Sequence, residues 1–309
     1  MSHERLDETS SSEPFVLDQL VLQLERLRQS NGVPAYISLL QQILQLLARE
    51  DDPSLWAALQ FALGNALYES QEGDRKVLLS EAISCYDAVL TVYTPGLNVA
   101  NYIAVQQYKR STLSDLAKLQ EGLEGLETLQ SIVACCDTIL VLCTREMAPT
   151  NWAVAHYHKA AALAEIAEGL RGGERFKLLE DSCSCYDAAL TVYTRQNNPI
   201  EWATAENGKG TVLYRIAQSG EGKNQLALFH EAIACYDNAL QVFDIEGSRL
   251  YHAAVQHNKG TILLDLAETV EGPSKRELVQ QALVCFEDAL AFYHRHNDST
   301  TVPLRAETW

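Results

Sequence analysis

Apolar residues recur along most of the chain at spacings of three and four, the pattern of helices with one buried face. Cysteine marks the register. Cys85, Cys135, Cys185, Cys235 and Cys285 stand 50 residues apart, in EAISCYDAVL, SIVACCDTIL, DSCSCYDAAL, EAIACYDNAL and QALVCFEDAL. The next residue is Tyr86, Cys136, Tyr186, Tyr236 or Phe286, and five after the cysteine comes Leu90, Leu140, Leu190, Leu240 or Leu290. Ala82, Val89, Ala189, Ala232, Ala239 and Ala289 complete the apolar face. A second block precedes each of these: WAALQFALGNAL from Trp56, YIAVQQYKRSTL from Tyr102, WAVAHYHKAAAL from Trp152, WATAENGKGTVL from Trp202 and HAAVQHNKGTIL from His252. Its closing leucines, Leu67, Leu113, Leu163, Leu213 and Leu263, fall in register, and no copy contains an internal proline. Each copy is therefore expected to be two helices.

Punctuation agrees. Gly73, Gly122, Gly172, Gly222 and Gly272 lie between the two helices of each copy, where a residue tolerant of positive φ ends a helix at little cost. Pro53, Pro149 and Pro199 stand three residues before Trp56, Trp152 and Trp202, as suits a helix start. No segment alternates with period two for long enough to form a sheet. Upstream, FVLDQLVLQLERLRQ and PAYISLLQQILQLLARE read as a terminal helical pair that lacks the repeat signature, as a cap facing water should. The expected organisation is a flexible tail over 1–13, the helical pair over 14–51, five helical hairpins over 52–296 and a second tail over 297–309. Hairpins that cannot bury their apolar faces alone must stack, so the expected fold is all-α, an α-solenoid.

Charge narrows the partners. Lysine plus arginine number 24 against 41 aspartates and glutamates in 309 residues, a formal charge of −17. Nucleic acid and anionic membrane surfaces are disfavoured, and a basic protein or peptide is favoured. The amino-terminal MSHERLDETSSSEP has no apolar leader core, and no run approaches eighteen uninterrupted apolar residues, so no membrane insertion is expected. Eight cysteines without an export signal read as reduced thiols of a cytoplasmic protein.

The repeats resemble the tetratricopeptide family. Gly64, Gly210 and Gly260 with Leu67, Leu213 and Leu263 match its first helix, and Ala232, Tyr236 and Ala239 match its second. Copies opening Pro-x-x-Trp-Ala, at 53–57, 149–153 and 199–203, look like the long-helix bacterial variety. The resemblance covers about residues 52–296 and implies a superhelix whose first helices line a concave face that binds protein. A step of 50 residues exceeds the usual ~34, so curvature does not carry over. Lys109, Lys159, Lys209 and Lys259 also depart from the pattern, standing where the family usually has leucine.

Each conspicuous column has a structural and a functional reading. The lysines could bind an anion or pair with the acids that recur at Asp87, Asp137, Asp187, Asp237 and Glu287; repeated bases beside repeated acids favour internal pairs. Those acids could equally form a solvated face. The cysteines read as small buried apolar residues, because neither Cys135 with Cys136 nor Cys183 with Cys185 has the spacing of a metal pair. The eight histidines form no catalytic motif, and no nucleophile elbow, Walker loop or dinucleotide fingerprint occurs. No enzyme, metal or cofactor is expected. Trp56, Trp152 and Trp202 are read as wedges between repeats rather than partner anchors.

Carried over position by position, the resemblance places Phe61, Gln107, Tyr157, Asn207 and His257 in one partner-facing column. A turn later come Asn65, Ser111, Ala161, Thr211 and Thr261, and then Tyr68, Ser114, Ala164, Tyr214 and Leu264. Asn65 matches one position of the family's carboxylate clamp, but the other columns hold no lysine or arginine, so a chaperone-tail clamp is not expected. The implied function is a non-catalytic protein-interaction scaffold or adaptor. The alternative is a detached sensor module that controls an effector enzyme such as a protease or nucleotide-binding protein.

Overall fold

The computed structural model describes residues 24, 32–220, 224–243 and 249–296. The expected tails, Gly222 and the first helix of the amino-terminal pair, apart from Leu24, lie outside the described residues. Among those residues the chain is all-α, as its periodicity requires, with no strand. The helices are α1 (Val33–Leu46), α2 (Pro53–Glu69), α3 (Arg75–Leu90), α4 (Val99–Ala117), α5 (Gly122–Leu142), α6 (Pro149–Ile166), α7 (Gly172–Leu190), α8 (Pro199–Ser219), α9 (Gln225–Phe243), α10 (Arg249–Glu268) and α11 (Pro273–His296). The chain forms two compact units, Met1–Cys135 and Cys136–Trp309, divided within α5. In each, consecutive helices pack pairwise in the manner of a solenoid.

Helix ends follow local chemistry. Pro53, Pro149 and Pro199 open α2, α6 and α8, where the missing N–H costs no hydrogen bond. Asp52, Asp74 and Asn98 cap α2, α3 and α4 by accepting from the backbone N–H of Leu55, of Lys76 and Val77, and of Asn101. Gly73, Gly122, Gly172 and Gly272 turn the chain between paired helices with φ of +113°, +63°, +63° and +75°.

In the amino-terminal unit, α1 buries Leu39, Leu40 and Ile43 in one cluster with Leu59, Leu63 and Leu67 of α2 and Ala82, Tyr86 and Val89 of α3. Gly64 lets α2 approach α3: a Cβ there would lie 2.8 Å from the Tyr86 ring. Tyr86 is wholly buried, and its hydroxyl donates to Asn65 Oδ1 at 2.8 Å. An aromatic side chain of this size removes ~150–250 Å² from water, an upper bound of about 4–6 kcal/mol.

In the carboxy-terminal unit, Gly210 lies under Tyr236 and Gly260 under Phe286, with hypothetical Cβ distances of 2.9 and 2.8 Å. The alanines that open the first helices, Ala153, Ala155, Ala203, Ala205 and Ala253, have no exposed surface. Trp152 and Trp202 beside them are only half-buried, so alanine makes the tightest contact and the indole covers its edge. The His156 ring meets Trp152 edge-on at 4.3 Å.

Two bonds recur between copies. Each lysine of the column reaches back 22 residues to the acid of the preceding second helix: Lys109 to Asp87, Lys159 to Asp137 and Lys259 to Asp237 at 2.5 Å, and Lys209 to Asp187 at 2.9 Å. The lysine side chains are 16–25% exposed and the carboxylates 49–56%, so stems are buried while carboxylates stay in water. The acids are thus both paired and solvated. Arginine makes the second link. Arg49 donates to the carbonyl of Thr91 at 3.0 Å and Arg145 to that of Thr191 at 3.2 Å, capping the negative ends of α3 and α7.

Candidate interaction surface on the first helices

The columns carried over from the resemblance lie on α2, α4, α6, α8 and α10, and many of their side chains already have work within the fold. Phe61 meets Tyr108 edge-on at 5.0 Å and lies 5.9 Å from Tyr86. Asn65 accepts from Tyr86, and Tyr68 donates to Asp115 of the next first helix at 2.7 Å. Ser111 lies close enough to the Tyr68 phenol to lower its pKa, and Gln107 is half-buried. The bond to Asp115, then burial, holds the Tyr68 pKa above its ordinary value.

In the carboxy-terminal unit, Tyr157 is half-buried and set edge-on to Tyr186 at 5.8 Å and to His158 at 5.0 Å. The Asn207 side chain lies 3.5 Å from Asn258, and the Thr211 and Tyr236 hydroxyls are 3.2 Å apart. Tyr214 repeats the Tyr68 arrangement, donating to Asp265 at 2.7 Å while Gln218 donates to its oxygen at 2.6 Å. Burial and Asp265 both raise the Tyr214 pKa, so it remains a donor. His257 is exposed, its ring 5.6 Å from Phe286, and Thr261 returns its hydroxyl to the His257 carbonyl. Phe61, Asn65, Tyr68 and Ser111 gather in one unit, and Tyr157, Asn207, Thr211, Tyr214, His257 and Thr261 are spread over α6, α8 and α10 of the other.

The tyrosine–aspartate links between successive first helices escaped the sequence reading. Their signal was the acid that follows Tyr68, Ser114, Ala164 and Leu264 as Glu69, Asp115, Glu165 and Asp265, replaced at Arg215. Arg215 turns inward instead, donating to the Ala164 carbonyl at 3.2 Å and pairing with Glu168. A second polar row, Gln106, His156, Glu206 and Gln256, lies half-buried or deeper on the other side of the first helices. Burial raises the Glu206 pKa against hydrogen bonds from Cys235 and Asn238, and lowers that of His156.

The cysteine column faces the core. Cys85, Cys135, Cys185, Cys235 and Cys285 are 4–9% exposed. Burial pushes Cys85 and Cys183 up to about 11 and raises Cys135, Cys185 and Cys285, so the thiols are neutral at pH 7 and poorly disposed to attack or to ligate. By length and composition α5 could cross a membrane. It nevertheless buries Leu129, Ile132, Cys135, Cys136, Ile139 and Cys143, and carries Glu124, Glu127 and Asp137.

No family model and no curated protein matches the sequence. Among solved structures, BtubC (BKLC) from P. vanneervenii is similar over 97% of this chain and 96% of its own, with 14% identity and a TM-score of 0.40. The S. pombe nuclear import adaptor Nro1 is similar over 96% of this chain and 97% of its own, with 12% identity and a TM-score of 0.40. At that level of similarity, only this chain's own residues bear on its function.

Proposed function

We propose that this chain is a tetratricopeptide-like, non-catalytic scaffold that binds a protein or peptide along its first helices. One contrast carries the reading. The positions that pack the repeats hold alanine, glycine, aromatic, cysteine and lysine again and again. The column through Phe61, Gln107, Tyr157, Asn207 and His257 is different in every copy. Packing imposes likeness between copies, and recognition of an irregular partner does not. With a charge of −17, encounter is faster for a basic partner, while aromatic and amide groups supply specificity. Eight free thiols suit a reducing compartment, which supports the cytoplasm as its location.

Affinity capture with mass spectrometry identifies the partner, and a double variant tests the face. Tyr157→Ala with Asn207→Ala should weaken capture by on the order of 2 kcal/mol or more. Helicity should be unchanged, with some loss of melting temperature because Tyr157 packs on Tyr186. Undiminished binding by the folded variant would remove the first-helix face from the interaction.

A further inference from the structure

We propose that α6, α7 and α8 form a pocket for one amide carbonyl oxygen of a bound partner segment, with the Tyr186 hydroxyl as its donor. The proposal rests on the first-helix face being the partner surface. A cavity of about 20 Å³ is lined by Ala161, Ala164, Tyr186, Asn207, Gly208 and Arg215, among others. That volume holds one oxygen-sized group.

Tyr186 sets the chemistry. It is 2% exposed, and among the described residues its hydroxyl makes no hydrogen bond to protein; it is not sealed off, so a solvent molecule or a ligand atom can reach it. The equivalent tyrosines are satisfied by the first helix of their own copy: Tyr86 donates to Asn65, and Tyr236 lies beside Thr211. The matching residue on α6 is Ala161, which has no acceptor and leaves space. On the opposite wall, a Cβ at Gly208 would come within 2.5 Å of the Tyr186 oxygen, so only glycine lets the phenol lie there. The other copies carry Ala62, Tyr108, His158 and Asn258 at that position. Three coordinated exceptions, Ala161, Ala164 and Gly208, thus leave one donor without a protein partner beside a cavity.

Charge selects the acceptor. Burial keeps Tyr186 protonated, and Arg215 is already neutralised by Glu168. The pocket therefore offers donors without net positive charge in a chain of −17, which suits a neutral carbonyl better than a carboxylate. Asn207 places it beside the column expected to face the partner.

The test uses the full chain with ring-labelled tyrosine, followed by NMR during titration with N-methylacetamide, acetamide and acetate. The expected result is a saturable shift of the Tyr186 resonance with the amides, half-complete on the order of tens of millimolar, and a response to acetate at least about fivefold weaker. Preference for N-methylacetamide marks a main-chain carbonyl, and preference for acetamide an asparagine or glutamine side chain; either supports the pocket. Ala161→Thr should abolish the response by supplying Tyr186 with an internal acceptor and filling the space. Tyr186→Phe, read at the Gly208 amide resonance, should lose it by about tenfold or more. No saturable shift in the parent, as a resident water alone would give, overturns the proposal. So does tighter binding of acetate, or an unchanged response in folded Ala161→Thr. If the amides fail while the Tyr157 and Asn207 double variant loses its partner, the pocket falls and the first-helix face stands.

Discussion

Replacing Lys209 by methionine separates what the lysine column contributes by charge from what it contributes by packing. The Lys209 ammonium lies 2.9 Å from Asp187 and 3.1 Å from Glu231, whereas among the described residues Lys159 pairs with Asp137 alone. Burial lowers the Lys209 pKa, but the bonds to both carboxylates outweigh it and the net shift is upward. Water reaches the carboxylates, which are 56% and 52% exposed, so each pair contributes at the surface scale of ~0.2–1 kcal/mol rather than at the buried scale. Methionine keeps most of the stem, so transfer free energy nearly cancels. Leaving Asp187 and Glu231 without their common cation adds modest repulsion. The sum is a loss of about 1–2 kcal/mol for Lys209→Met and about half that for Lys159→Met. Urea unfolding of both variants, at low and at high salt, checks the difference. The gap from the parent should narrow as salt rises and should close in alkali. A lysine whose folded pKa is raised gives stability that is full below its unfolded value of about 10.4 and is lost as pH rises through the folded value. Equal losses in the two variants, or a gap that widens with salt, would refute the pairing account; loss of partner binding by folded Lys209→Met would move the column into the site.

Two further outcomes test the core. The Cys85 thiol, raised from about 8.5 in the unfolded chain to about 11 by burial, holds its proton longer in the fold. Stability should therefore be full below about pH 8.5 and fall above it by up to about 1.4 kcal/mol per pH unit for this group, and Cys85→Ala should flatten that slope in thermal melts between pH 8.5 and 10. Gly260→Ala places a Cβ 2.8 Å from the Phe286 ring and should destabilise by about 1–3 kcal/mol. Gly169→Ala meets nothing within 4 Å and should be neutral or stabilising by up to about 1 kcal/mol in the same denaturation assay.

What was legible in the sequence was whatever repeats. A 50-residue period in Cys85 and its successors located the helices, and lysines recurring against acids pointed to the pairs now seen at Lys109, Lys159, Lys209 and Lys259. Contacts that depend on how one helix is rotated against the next were not legible. Tyr68 and Tyr214, read as partner-facing, also tie successive first helices through Asp115 and Asp265, because a phenol long enough to reach a partner reaches the neighbouring turn as well. The tryptophans looked like large buried wedges in the three copies that carry them, yet Ala153 and Ala203 are buried completely while Trp152 and Trp202 keep an edge in solvent. Close helix approach needs a small residue at the contact, and a period cannot say which of two neighbours makes it. The Tyr186 cavity escaped because its signal is a departure from the repeat at Ala161 and Gly208, meaningful only once the phenol is seen between them.

The lysine-to-aspartate bond always joins a second helix to the first helix that follows, 22 residues later. A genetic crossover between equivalent points of two copies would delete or add 50 residues and still bring an aspartate and a lysine together at the new junction. The chain can therefore change its length by whole hairpins without redesigning a joint, and the extent of the proposed interaction face can evolve independently of the chemistry that holds it together.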